Sequence, residues 1–146
     1  MKIFVIFFFI SFVQYQKLQA QKPENAWNIL AKVKTVQQKH KTGSYEVAVP
    51  VFAPDLLLLN DKMIVLQGYM IPLQELRKQN YFVLSRYPFS LCYFCGAAGV
   101  ETVIEINSRE QIRFTEDKIT LKGVLKLNPN NPDQLLYVLE KAELVR

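Results

Sequence analysis

"KMIVLQGYMIPL", residues 62–73, is the stretch on which the fold turns. From Met63 to Ile71 the chain is apolar on both faces of a period-two pattern, which reads as one long strand. Gly68 stands in its middle, where a glycine marks a bulge, a sharp bend or a close backbone approach. A strand of this kind needs cover on both sides, so the rest of the chain has to supply partners.

Downstream, four more segments alternate. "NYFVLSRY", residues 80–87, reads as a second strand, with a turn from Leu73 to Asn80 before it. "VETVIEIN", residues 100–107, places Thr102, Ile104 and Ile106 on one face and Glu101, Val103 and Glu105 on the other. "DKITLKGVLKLN", residues 117–128, points Ile119, Leu121, Leu125 and Leu127 inward and Thr120, Lys122 and Lys126 outward, with Gly123 again in mid-strand. After the "NPNNPD" turn, "QLLYVLEKAELV", residues 134–145, has helical propensity. Its alternation of Leu136, Val138, Glu140, Ala142 and Leu144 decides for a strand. Five strands in roughly eighty residues, two bent by internal glycines, predict a mainly β chain with minor α: a small closed Greek-key barrel of the OB type. Closure also protects such apolar strands from edge-to-edge aggregation.

Upstream the pattern is different. "PENAWNILAKVKTV", residues 23–36, carries Trp27, Leu30 and Ala31 at helical spacing and predicts a helix over about Asn25–Lys34, with Trp27 sealing one end of the core. "QQKHKTGSYE", residues 37–46, reads as a polar loop or weak hairpin around Gly43. Pro54 and Asp55 stand where a short helix would begin, and Asn60 and Asp61 where it would end in a tight turn. The predicted organisation is therefore a signal peptide over 1–20, an N-terminal helical extension and loop over 21–60, and the barrel over 61–146, the last two forming one domain.

The signal-peptide reading rests on a short basic start and the apolar run Ile3–Val13, too short to span a bilayer comfortably. Cleavage after Ala20 leaves 126 residues (146 minus 20), enough for a real core without disulfide staples. No stable membrane span is expected after cleavage, and the expected location is periplasmic or secreted. Losing Lys2 and Lys17 leaves 16 basic and 13 acidic residues, a net +3. That balance is too mild, and Lys32, Lys34, Lys39 and Lys41 too loosely grouped, to suggest nucleic acid. The rings of Tyr69, Tyr81, Tyr87, Tyr93, Phe89 and Phe94 are read as core and loop packing, not as a base-stacking platform.

Chemistry concentrates in "SLCYFCGAAGVE", residues 90–101, which holds the chain's two cysteines, Cys92 and Cys95. Three readings of this Cys-x-x-Cys pair stand side by side. An oxidising compartment can close it as a disulfide, although so short a loop gains little from closure. The two sulfurs can share a soft ion, Cu(I) or Zn, with Met70 as a thioether donor, Glu101 and Glu105 as oxygen donors, His40 as the one further nitrogen ligand, far away in sequence, and Gly96 and Gly99 freeing the backbone to curl around it. A redox dithiol would need a lowered thiol pKa from a helix N-terminus or a cation, and Arg86 is the nearest cation in sequence. His40 is read as a surface loop residue. Glu101 and Glu105 lie on one strand face about 13 Å apart by strand rise, too far apart for a paired-carboxylate site, and read as a solvated sheet face. No phosphate loop, nucleophile elbow or Ser/His/Asp set is present in the sequence.

"LQGYMIPL", "YFVLSRYPFSLCYFCGAAGVETVIEI", "ITLKGVLKLN" and "YVLEKAELV" together resemble a family of small exported bacterial proteins of unknown function, common in the Bacteroidetes. The resemblance runs from about Trp27 to the C-terminus, and its most specific parts are the Gly-Tyr-Met-x-Pro-Leu strand and the Cys-x-x-Cys-Gly-x-x-Gly segment. It implies an OB-like barrel and no known reaction. A related proteobacterial branch carries a Cys-x-His there and is associated with envelope metal handling; this chain has Phe94 where that His would stand. The expected function is a non-enzymatic envelope accessory or binding protein that takes an envelope protein as partner and acts through the Cys92/Cys95 loop. Thiol–disulfide exchange, or a structural disulfide in an interaction module, is the alternative.

Overall fold

The computed structural model describes residues 23–39, 43, 45–71, 78–131 and 133–145. The signal-peptide segment, His40, Lys41 and most of the turn predicted from Leu73 lie outside these residues. Among the described residues, no helix is long and apolar enough to cross a membrane.

The first element is a helix, α1, Pro23–Leu30. It is shorter than predicted. The β-branched run Val33, Thr35, Val36 is claimed by a strand instead, because such side chains are stiff in a helix and fit a pleated surface. That strand, β1 (Val33–Lys39), pairs antiparallel with β2 (Glu46–Phe52). The segment read as a loop or weak hairpin is thus a hairpin with seven-residue strands, set apart from the barrel as its own two-stranded sheet. A single turn of helix, α2 (Pro54–Leu57), follows with Pro54 at its start and the Asp55 carboxylate accepting the Leu56 N–H at 3.1 Å.

The barrel strands are β3 (Met63–Ile71), β4 (Lys78–Ser85), β5 (Val103–Arg113), β6 (Ile119–Leu127) and β7 (Tyr137–Leu144). They close in the order β3-β4-β5-β7-β6. Every neighbouring pair is antiparallel except β5 and β7, which run parallel. This is the OB-type arrangement: a three-strand meander, then two strands that return to close the ring. Closure hinges on β3, which pairs with β6 over Met63–Gly68 and with β4 over Tyr69–Ile71. The hand-over falls at Gly68, as a mid-strand glycine suggests.

The interior is filled by Ile64, Leu66, Phe82, Leu84, Ile104, Ile106, Leu121, Leu125, Tyr137 and Leu139. Trp27 and Leu30 of α1 join this cluster, and the Trp27 indole N–H donates to the Gln67 carbonyl at 2.8 Å. Trp27 therefore does seal one end of the core. The phase of β7 differs from the sequence reading. Tyr137 and Leu139 face the barrel interior, and Ala142 does so after an irregularity at Lys141, whose φ is +53°. That extra residue shifts the alternation, so Val138 and Glu140 do not share the core face of Ala142. The turn before β7 is organised by Asn128. Its side-chain amide donates to the carbonyls of Asn131, Gln134 and Leu135, and its oxygen accepts from the N–H groups of Asn130 and Asn131.

Candidate functional site

The candidate site lies in the connection from β4 to β5, residues 86–102. Its base is closed by the Arg86 N–H donating to the Thr102 carbonyl at 2.9 Å. Between these ends the chain makes short 3-10 turns at Phe89–Leu91, Tyr93–Cys95 and Val100–Thr102. Pro88 starts the first, and Gly96, in the left-handed region at φ +74°, ends the second. A left-handed stop of this kind is the one place in the loop where glycine's freedom is required.

Cys92 sits at the joint between the first two turns, in extended conformation. That one residue turns its side chain inward. Cys92 is fully buried and packs with Ile71, Val83 and Val103 in a small apolar cluster distinct from the barrel core. Cys95, at the end of the second turn, is exposed. Both carry free thiols. The Cys95 thiol donates to the Phe89 carbonyl at 3.0 Å, and the Cys95 N–H donates to the Cys92 carbonyl at 3.1 Å. Desolvation, and then the Cys92 thiol beside it, hold Cys95 above the ordinary thiol range. The bond to Phe89 acts in the same sense, because a thiolate has no proton to donate. Arg86, the cation nearest in sequence, is turned elsewhere: its guanidinium donates to Asn28 at 3.1 Å and lies 5.7 Å from the Tyr87 ring centroid.

The supporting residues divide. Gly96 and Gly99 lie in the loop with the cysteines, and a Cβ on Gly99 would meet the Glu101 carboxylate at 2.2 Å. Glu101 belongs to the third turn and lines a concavity of about 310 Å³ with Leu91 and Gly99. Met70 is held in the barrel core cluster, while its neighbour Ile71 packs on Cys92. Adjacent residues of one strand point to opposite faces, so the thioether and the Cys92 thiol belong to different faces of the sheet. Among the described residues, no group of three or more His, Cys, Asp or Glu side chains is placed to hold an ion.

Two features escaped the sequence reading. Glu105 is not on a solvated face: it is 4% exposed, accepting the Tyr81 hydroxyl at 3.0 Å and the Leu135 N–H at 2.5 Å. Period two assigned it correctly to the face opposite Ile104, but the covering of that face by the Leu135 segment is tertiary. The loop rings are also more exposed than packing residues would be. Phe89 is 63% and Phe94 48% exposed, with Leu91 at 56%, so the exposed Cys95 lies in an apolar loop surface.

No protein-family model matches this chain, and no curated protein matches it. Among solved structures it is similar to the crystal structure of a DUF3299 family protein from Pseudomonas aeruginosa, at TM-score 0.46 and 14% identity, over 61% of this chain and 64% of that one. The match thus spans less than two thirds of that protein's length. A likeness of this size transfers no residue role, ligand or activity.

Proposed function

We propose that this is an exported, non-enzymatic binding protein of the cell envelope, a member of the small bacterial family its strand and cysteine segments resemble. Its working part is the Cys92/Cys95 loop, which holds one soft metal ion. The observation that carries this reading is the pair of free thiols set side by side on one hydrogen-bonded turn, one sealed by apolar packing and one open to solvent. Two sulfur donors without a third clustered ligand among the described residues suit Cu(I) ahead of four-coordinate Zn. Cys92 and Cys95 would hold the ion as thiolates, and uptake would release their protons, so affinity rises with pH.

Thiol–disulfide exchange is the second reading, favoured by the same contrast of buried and exposed sulfur. Against it stands the raised Cys95 thiol, which at neutral pH offers little thiolate to attack a disulfide. Anaerobic titration with Cu(I) against a competing chelator separates the two. One equivalent bound by the parent, and none by Cys95→Ser or Cys92→Ala, is the expected outcome. A parent that binds no Cu(I), or variants that bind as the parent does, would refute metal holding at this loop.

A further inference from the structure

We infer that the free edge of β1 pairs with β1 of a second copy of this chain, joining two hairpins into one four-stranded antiparallel sheet. Among the described residues the hairpin is paired with nothing but itself. An isolated two-stranded ribbon is marginal in water, and an unpaired edge is a template for another strand. Its two edges are not equivalent. β2 carries Pro50, which has no N–H to offer, and its residues 47–50, with Gln38 alone from β1, line a groove of about 810 Å³ whose other side is Asn128, Asn131, Gln134 and Leu136. β1 is exposed at every position from Lys34 to Lys39.

The sequence of β1 is suited to pairing with itself. An antiparallel register centred on Val36 sets Val33 opposite Lys39, Lys34 opposite Gln38 and Thr35 opposite Gln37. All seven residues of β1 are used and no like charges face each other. A parallel in-register pairing would set Lys34 on Lys34 and Lys39 on Lys39. The two-fold axis through Val36 also matches the faces. Within one hairpin, Val36 lies opposite Val49, Lys34 opposite Val51 and Gln38 opposite Val47, so the valines share a face. Val36 is 46% and Val51 47% exposed on that face. Pairing by an axis normal to the sheet places both valine faces on the same side, where they run on across the seam.

The test is the mass in solution of the full processed chain by sedimentation, from low to high micromolar concentration. The parent is expected to pass from monomer to dimer. Val36→Lys and Val36→Glu each set like charges at the dyad and should each weaken self-association about tenfold or more. An equimolar mixture of the two should associate again, because the seam then pairs Lys with Glu. Trp27 fluorescence checks that both variants remain folded. A parent that stays monomeric throughout overturns the inference. So does a dimer that persists unchanged in both variants, which would lie at another surface. A monomeric parent that takes up an unrelated extended peptide at this edge would also overturn it, since the occupant would not be a second copy.

Discussion

Gly68→Ala is expected to cost about 3 kcal/mol of folding stability, an unusual price for one methyl group. The methyl carbon would lie 2.4 Å from the Ser85 carbonyl oxygen, 3.0 Å from Leu84 Cγ and 3.1 Å from the Ser85 carbonyl carbon. A carbon normally approaches such an oxygen to about 3.3 Å, so β3 and β4 would have to separate by about 0.9 Å. None of the three atoms can swing away: two are backbone atoms, and the third belongs to the fully buried Leu84. The separation would fall where β3 exchanges one partner for the other, with Gly68 opposite Ile119 and Tyr69 opposite Ser85. Overpacking of about 1–3 kcal/mol and about 1 kcal/mol for a weakened ladder bond outweigh the gain of about 0.5 kcal/mol from reduced freedom of the unfolded chain. In a domain of this size the loss amounts to about 12 °C in Tm. Urea denaturation read by Trp27 fluorescence measures it well: Trp27 is the chain's one tryptophan, buried, and bonded to the carbonyl of Gln67 next door. Gly96→Ala is the control. Nothing lies within 4 Å of its added methyl, so only the left-handed φ is penalised, by about 1 kcal/mol. If Gly68→Ala melts within about 1 kcal/mol of the parent, the close approach of β3 and β4 at this point is refuted.

The two cysteines should separate in stability as they do in burial. Cys92→Ser sets a hydroxyl among Ile71, Val83 and Val103 and is expected to cost about 1–3 kcal/mol in urea, whereas Cys95→Ser should stay within about 0.5 kcal/mol; equal losses would contradict the placement of Cys92. At alkaline pH, Tyr81 is held above the ordinary phenol range by desolvation and then Glu105, and Tyr137 by desolvation and then Glu101. A raised pKa in the folded state keeps its stabilisation below the unfolded value of about 10 and loses it as pH climbs past that point. Urea midpoints should therefore fall above about pH 10, less steeply in Tyr137→Phe than in the parent. The same variant should already be weaker at neutral pH, because the Leu30 carbonyl loses the Tyr137 hydroxyl at 2.7 Å.

Local pattern was enough to find the strands. The bounds read for β3, Met63–Ile71, are those of the structure; of the inward set, Ile119, Leu121 and Leu125 are buried as read and Leu127 packs partly buried against the core. Period two is a property of a single strand, set by the pleat, and needs no knowledge of its neighbours. The hairpin of β1 and β2 was half legible, because Val33 and Val36 fall at the end of a helical pattern that has no reason of its own to stop at Leu30. The shift in β7 was not legible, since a bulge at Lys141 leaves no mark that alternation can register.

The candidate site divides in the same way. That Cys92 and Cys95 share one turn followed from their spacing and from Gly96 after them, because a three-residue step with a left-handed stop keeps the sulfurs near one another. Which sulfur would be sealed and which exposed did not follow. The parallel pairing of β5 with β7 brings the Leu135 segment over Glu105, and the packing of the loop on Ile71, Val83 and Val103 buries Cys92. Each of those contacts joins residues far apart in the chain. A sequence states what each residue prefers nearby, and only closure of the barrel decides which distant groups exclude water from one another.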